Sequence, residues 1–333
     1  MSHRSFLVNI GLIATPEMAR SQFWILKDNW WKQIIDASDH KHGQWVFDKG
    51  LHGHGAELGF YDGILRGSKY LMDRIGDEFN INTYKGTHHM ACSHFDGNRN
   101  GVLCEAYEVD RFRTQNIYCN ERKSITSDGE YAREYSTKIR QEISAIAINI
   151  KARRPFATCL HSEEAYMIMY LDYESEKECE ELTIEIIKQY NENMNALYQI
   201  LRHKYDDGVA FDELKKHYNY QTISNIAKLY ATLEWQHPWR DGQGRTDLII
   251  LNGLLCKEGL TSVFLWDPYY STYNTIGDWI TYLRYNLAMF PGKIKENNSL
   301  SKSHNLEMHP ENHLLIKSDN SQSKNSINSC VLI

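Results

Sequence analysis

The chain has 333 residues, of which 42% are hydrophobic and 12% aromatic, and its formal net charge is −6. This length and composition predict a globular protein with a sizeable core, and the negative charge argues against a nucleic-acid-binding protein, which usually carries a basic domain. No apolar run is long enough for a transmembrane helix. The seven cysteines show no Cys-x-x-Cys spacing, which favours free thiols in a reducing compartment.

Apolar spacing predicts mainly helices in the first half of the chain. The predicted elements are helices over 18–36, 57–80 and 130–152, with a loop rich in Gly and His over 38–56. Residues 82–125 mix turn signals with short strand-like runs. His88, His89, Cys92 and His94 lie within them. These four side chains could ligate zinc, but their spacing fits no closed site, and a loop or plain surface is the simpler interpretation.

In the second half of the chain the sequence pattern predicts a hairpin followed by helices. The hairpin is expected from Phe156 to Tyr173, with Met167 to Tyr170 in its second strand. The helices predicted after it cover 175–204, 219–236, 246–256 and 275–289, and Gly259 is placed to end the third of them. From Pro291 onward Asn, Ser, Lys and His dominate without apolar periodicity, which predicts a flexible tail over 291–333.

The nine residues from His237 to Arg245 combine a base, a carboxylate, two glycines and a fixed cation. A helix follows at once, so Gly242 to Arg245 form a glycine-rich turn at a helix N-terminus, where unpaired N–H groups attract anions. Arg245 has a geometry that matches phosphate, and Asp241 offers the carboxylate oxygen that Mg²⁺ accepts beside substrate phosphates. His237 stands where the preceding helix stops before a proline. Together these residues predict attack of a hydroxyl on a Mg²⁺-bound phosphate ester.

This stretch resembles the signature of the Fic family, His-Pro-Phe-x-Asp-Gly-Asn-Gly-Arg-x-x-Arg. The residues in register are His237, Pro238, Asp241, Gly242, Gly244 and Arg245. Trp239 replaces the Phe and keeps a large aromatic anchor, and Gln243 replaces the Asn with a longer amide. Leu248 stands in the place of the last Arg, so the charge that in the family meets the terminal phosphate of ATP is lost.

The stretch from His237 to Arg245 is called the signature turn below. The order of hairpin, helix, helix, signature turn and helix is similar to that of the Fic core. The resemblance implies a mainly α fold, in which a Fic-like helical bundle carries a short β-hairpin flap. The expected divisions are a mostly helical N-terminal region over 1–154, the Fic-like core over 155–290 and a disordered tail over 291–333. In the family the flap docks the target peptide. It is placed here near Thr158 to Tyr170; the alternative, Tyr84 to Met90, would make residues 100–200 an insertion.

The resemblance also implies roles for the site residues. His237 would be the general base that takes the proton from a Ser, Thr or Tyr hydroxyl of a target protein, and Asp241 would hold Mg²⁺. The nucleotide-binding residues would be Gly242, Gln243, Gly244 and Arg245. The default reaction transfers AMP from ATP to the protein and releases pyrophosphate.

Leu248 leaves the donor open. The family's inhibitory helix, Ser/Thr-x-x-x-Glu-Gly/Asn, pairs its Glu with the Arg that Leu248 replaces, and no match to this pattern occurs in the chain. The Arg and its inhibitory partner are thus missing together. This fits an unregulated enzyme, or an enzyme that uses another donor such as UTP or CDP-choline. A catalytically weak adaptor that binds a host protein is the alternative, although the intact His237 and Asp241 count against it. A phosphotransferase of the Doc branch would prefer Lys where Gly244 stands.

The last four residues, Cys330-Val-Leu-Ile, resemble a CaaX prenylation box at the end of the predicted tail. A single lipid gives reversible membrane binding. Because prenylation is a eukaryotic modification and Fic-type domains are widespread in bacterial effectors, we expect an effector that modifies a host protein. If Cys330 is prenylated, the protein would act on the cytosolic face of a host membrane, and otherwise it would act in the host cytosol.

Overall fold

The computed structural model describes residues 2–53, 56–93, 111–114, 129–161 and 165–299, together with five short strand segments between 98 and 123 and at 331–332. The helices are α1 (His3–Asn9), α2 (Pro16–Phe23), α3 (Phe60–Asp73), α4 (Ile81–Cys92), α5 (Gly129–Asn149), α6 (Glu176–Asp206), α7 (Phe211–Gln236), α8 (Gln243–Lys257), α9 (Tyr270–Tyr273) and α10 (Ile276–Ser299). The 3₁₀ helices cover Lys27–Gln33 and Ala37–His42. The strands are β1 (Asn98–Arg99), β2 (Val102–Leu103), β3 (Ile117–Tyr118), β4 (Arg122–Lys123), β5 (Ala157–His161), β6 (Ala165–Tyr170) and β7 (Val331–Leu332). The predicted mainly α fold is confirmed.

The helix α8 lies at the centre of the fold. Every residue of α8 except Gly244 is buried, which is typical of a helix that is packed on all sides. Helices α2, α3 and α4 pack against it, and so does α7. The helix ends as predicted, because Gly259 adopts a left-handed φ of 80° and its N–H donates to Cys256. The signature turn therefore opens onto a helix that is enclosed on all sides.

The predicted hairpin is present as β5 and β6, which pair antiparallel from Ala157 with Tyr170 to His161 with Tyr166. In β5 the side chains of Ala157 and Cys159 are buried while Leu160 is exposed, so the strand alternates between the core and the surface. The other edge of β6 pairs with β3 and β4, and β3 also pairs with β7. The end of β6 is thereby brought beside the end of α7.

Two predictions for the first part of the chain were wrong. Residues 81–92 form the helix α4 instead of turns and strands, and the Asn80 side chain caps it by accepting from the N–H groups of Asn82 and Thr83. This helix excludes the alternative flap at Tyr84 to Met90. The helix predicted over 18–36 is instead the short α2 followed by a 3₁₀ helix.

The end of the chain also differs from its prediction. Helix α10 continues to Ser299, so the helix does not stop at 289 and the tail does not begin at 291. Residues 300–330, including Cys330, lie outside the described part, and the lipidation stays a prediction. The division at 154/155 also stays a prediction, although one hydrophobic cluster extends across it. Among the described residues, no helix is both long enough and apolar enough to cross a membrane.

Candidate functional site

His237 caps the C-terminus of α7 in the left-handed region, at φ 46° and ψ 64°. Its N–H still donates to Leu233 at 2.8 Å. A non-glycine residue adopts this backbone conformation at an energetic cost, and such residues concentrate at functional sites. The proline that follows prevents the helix from continuing. The chain therefore leaves α7 sharply and enters the signature turn.

Trp239 anchors this turn. Its side chain is fully buried, and its ring lies between His88, at 3.9 Å and 3° between planes, and Phe112, at 4.5 Å and 16°. His88 is consequently a packing residue under the turn. No group of three or more metal-ligating side chains occurs among the described residues. His94 of the predicted cluster lies outside the described residues, so the interpretation of that cluster stays a prediction.

Asp241 and Gly242 directly precede α8. The Gly242 N–H donates to Oδ1 of Asp241 at 2.7 Å, and Gly242 occupies the N-cap at φ 72° and ψ 11° without a side-chain cap. The carbonyl of Gly242 accepts the first helical bond, from Thr246 at 3.1 Å. The preceding N–H groups of the first turn have no partner within the helix, so they present partial positive charge beside a half-buried carboxylate. This is the arrangement predicted for a site that binds an anion at the helix N-terminus beside a carboxylate that could hold a cation.

The side chain of Gln243 braces the loop from inside. Its Oε1 accepts from the Trp239 N–H at 3.2 Å, and its Nε2 donates to the Tyr84 hydroxyl at 3.0 Å and to Asp247. Burial raises the pKa of Asp247 to about 7. The amide group of Gln243 is thus engaged in the fold, and any nucleotide contact of this residue falls to its backbone N–H.

Arg245 has a partner that the sequence did not indicate. Its Nη2 donates to Oε2 of Glu57 at 2.9 Å, and both side chains are almost completely buried. The guanidinium also lies 4.6 Å over the Phe60 ring. Glu57 lies in the loop before α3, whereas the sequence predicted it as the first residue of the helix over 57–80. Leu248, one turn further along α8, is buried in the core.

The segment 111–114 lies beside the signature and was also missed. Phe112 forms an antiparallel bridge with Trp239, and the guanidinium of Arg113 donates to the carbonyl of His237 at 2.8 Å. Burial first, and then the Arg113 charge, lower the pKa of His237 to about 3, while Asp241 opposes the shift. The imidazole is therefore neutral at pH 7, which is the form that can accept a proton.

Replacing Gly242 with Ala is expected to lower the free energy of unfolding by about 2–4 kcal/mol, from left-handed strain and overpacking. A Cβ at this position would lie 2.3 Å from Sγ of Cys92 and 3.2 Å from Cε1 of His88, on a backbone with φ +72°. The control is Gly244→Ala, where the nearest atom is the Tyr269 hydroxyl at 3.9 Å. Urea denaturation checks both variants, and equal stability of the two would contradict this account.

Acidification from pH 7 to pH 5 is expected to destabilise the fold through His88. Burial lowers its pKa to about 3, so between pH 6.5 and 3 the unfolded chain takes up a proton that the folded chain does not. Between pH 7 and pH 5 this contribution to the free energy of unfolding falls by about 2 kcal/mol. Asp247, whose pKa is raised to about 7, acts in the opposite direction.

The His88→Gln variant isolates this effect. Between pH 7 and pH 5 it should lose about 2 kcal/mol less stability than the unchanged chain. Equal losses in the two proteins, measured by urea denaturation at each pH, would show that His88 titrates normally in the fold.

No protein-family model and no curated protein matches this chain. Among solved structures, the chain is similar to a Fic domain containing signaling protein from Bacteroides thetaiotaomicron VPI-5482. The identity is 12%, the alignment covers 88% of this chain and 100% of that one, and the TM-score is 0.36.

Proposed function

We propose that this protein is a Fic-type transferase that moves a nucleoside monophosphate, by default AMP from ATP, onto a hydroxyl side chain of a target protein. The observation that carries the proposal is the convergence of three groups in one turn. A neutral His237 ends α7, and Asp241 and the uncapped N-terminus of α8 follow within six residues. An adaptor that only binds a partner has no need of these three groups together.

Each group has a part in the proposed reaction. The hydroxyl oxygen of the target forms a bond to the α-phosphorus, and its proton passes to the His237 imidazole. The bond between the α-phosphorus and the bridging oxygen breaks, and pyrophosphate leaves. The first-turn N–H groups of α8 donate to phosphate oxygens as negative charge develops on them.

The carboxylate that the turn offers is the kind of ligand by which nucleotide enzymes hold Mg²⁺. Mg²⁺ is commonly held by one or two carboxylates together with substrate phosphates and waters. Asp241 offers one half-buried carboxylate, of which Oδ1 already accepts from Gly242. When bound, the ion would neutralise phosphate charge.

The identity of the donor is the finer part of the proposal. Leu248 places no charge where the terminal phosphate of ATP would be met, and the Arg245 guanidinium is paired with Glu57. These features favour a donor that has no terminal phosphate of this kind, such as CDP-choline. UTP carries the same triphosphate as ATP and enters the test as a donor with a different base.

The test is to incubate the purified full chain with Mg²⁺, each donor and a eukaryotic cell lysate, followed by intact-protein and peptide mass spectrometry. The expected result is an added nucleoside monophosphate on a Ser, Thr or Tyr, absent when the metal is chelated. A different added group, dependent on one of the other donors, would identify that donor as the substrate. If no donor yields an adduct on the chain or on any lysate protein, the transferase proposal fails and the adaptor remains.

A further inference from the structure

Arg113 lies inside the fold and joins the two elements that meet at His237. The residue is 1% exposed. Its Nε donates to the carbonyl of His237 at 2.8 Å, and its Nη2 donates to that of Gln236 at 3.0 Å. Its Nη1 donates to the carbonyl of Leu171, one residue past β6, at 2.8 Å. One side chain therefore ties the end of α7 to the end of the hairpin.

The backbone around Arg113 strengthens this tie. The N–H of Arg113 donates to the carbonyl of Pro238 at 2.7 Å, within the signature turn. The carbonyl of Thr114 accepts from the Tyr173 N–H at 3.1 Å, just beyond the hairpin. The segment is thus bonded on one side to the turn and on the other to the chain that leaves β6.

Tyr170 is the last residue of β6, and its ring stacks on the His237 imidazole at 4.5 Å between centroids and 17° between planes. The Arg113 guanidinium lies 4.9 Å over the Tyr173 ring and 5.7 Å over the Tyr170 ring. Because Arg113 holds both the carbonyl of His237 and the residue after Tyr170, it sets the separation between the tyrosine ring and the imidazole.

We propose that Arg113 is a positioning residue that holds the His237 imidazole against Tyr170 and so fixes its direction in the signature turn. This inference rests on the proposed role of His237 as the base. The left-handed backbone of His237 is strained, and such a conformation persists only where the surroundings hold it. A planar guanidinium can reach three carbonyl oxygens at once, whereas a lysine ammonium is a single point charge. A cation at the last carbonyls also suits the end of a helix.

The charge of Arg113 supports the same role. It faces His237 from one side while the Asp241 carboxylate faces it from the turn, and the pKa of the imidazole, lowered to about 3, reflects burial first and this guanidinium second. On the hairpin side the pKa of Tyr173 is raised by burial, so that its hydroxyl stays protonated. The Arg113 charge thus adds to burial in favouring the neutral imidazole.

The test is Arg113→Lys in the full chain, with Arg154→Lys as the matched control. Arg154 also donates to a carbonyl near the end of the hairpin, that of Asp172 at 2.7 Å, but its side chain is 43% exposed. We expect Arg113→Lys to lower kcat for transfer by about tenfold to a hundredfold, because a misplaced base is slow, with little change in KM for the nucleotide. The control should leave both constants unchanged.

A second readout is independent of activity. The Tyr170 ring shields the ring protons of His237, so their NMR resonances should move to lower field in Arg113→Lys and stay in place in Arg154→Lys. The resonances are assigned by their disappearance in His237→Asn. If neither the resonances nor kcat changes in Arg113→Lys, the proposal is overturned.

The His237→Asn variant distinguishes failure of the proposed function from failure of the positioning role of Arg113. If His237→Asn transfers normally while the resonances move in Arg113→Lys, the proposed function fails and the structural role of Arg113 in holding the imidazole stands. If Arg113→Lys does not fold by circular dichroism, Arg113→Gln replaces it, since its amide is neutral and too short to reach the three carbonyl oxygens that the guanidinium holds, while the Tyr170 ring stays in the chain. The same downfield movement and loss of kcat are then expected, and their absence overturns the proposal.

Discussion

The His237→Asn variant is expected to fold normally and to transfer the nucleotide about 10²–10⁴ times more slowly than the unchanged chain, which is the usual contribution of a general base. Asn tolerates the left-handed backbone that His237 adopts at φ 46°. Its amide keeps a polar side chain at the site but takes up no proton at neutral pH. The loss of rate therefore reports the missing base and not a rearranged turn.

The measurement is kcat on a target protein identified by mass spectrometry, at saturating nucleotide and Mg²⁺. His203→Asn is the control, because His203 is exposed near the C-terminus of α6, remote in sequence from the turn, and it should transfer at the unchanged rate. A His237→Ala variant adds the strain of Ala in the left-handed region, about 1 kcal/mol of stability. Transfer by His237→Asn at the normal rate would show that another group accepts the proton.

The Glu57→Gln variant is expected to lower the free energy of unfolding by about 3–5 kcal/mol, the usual effect of removing one partner from a buried ion pair. The Arg245 and Glu57 side chains are 6% and 1% exposed, and their charged atoms are 2.9 Å apart. Without the carboxylate, the guanidinium stays in a poorly solvated place with less negative charge around it. The same loss should tighten the binding of pyrophosphate, since Arg245 no longer has this internal anion beside it.

Urea denaturation and calorimetric titration with pyrophosphate check the two parts. Glu17→Gln is the matched control, because Glu17 pairs with Arg20 at 3.1 Å on the surface, where the side chains are 76% and 38% exposed. An exposed pair of this kind contributes at most about 1 kcal/mol. If Glu57→Gln is as stable as Glu17→Gln, the buried pair does not hold the turn. If pyrophosphate binds equally to Glu57→Gln and the unchanged chain, Arg245 does not contact the phosphates.

The local sequence pattern correctly predicted the helices and the hairpin around the signature turn. The helices α6 and α8 and the hairpin lie where apolar spacing placed them, because periodicity and end signals are properties of neighbouring residues. Helix α4 was missed for a physical reason. Its apolar stripe is weak and it packs against α3 and α8, so its stability comes from tertiary contacts rather than from its own residues. The early start of α7, at Phe211 instead of 219, has a related cause, since its first turn is mostly exposed and shows no apolar period.

By itself the sequence determined that this protein is mainly helical and that a base, a carboxylate and a glycine turn stand together, because their spacing lies within nine residues. Only the tertiary structure decided which charges meet them. Glu57 reaches Arg245 from 188 residues away, and Arg113 reaches His237 from 124 residues away. No local pattern specifies such a contact, since it depends on how the loop before α3 and the segment 111–114 are packed against α8 and the end of α7.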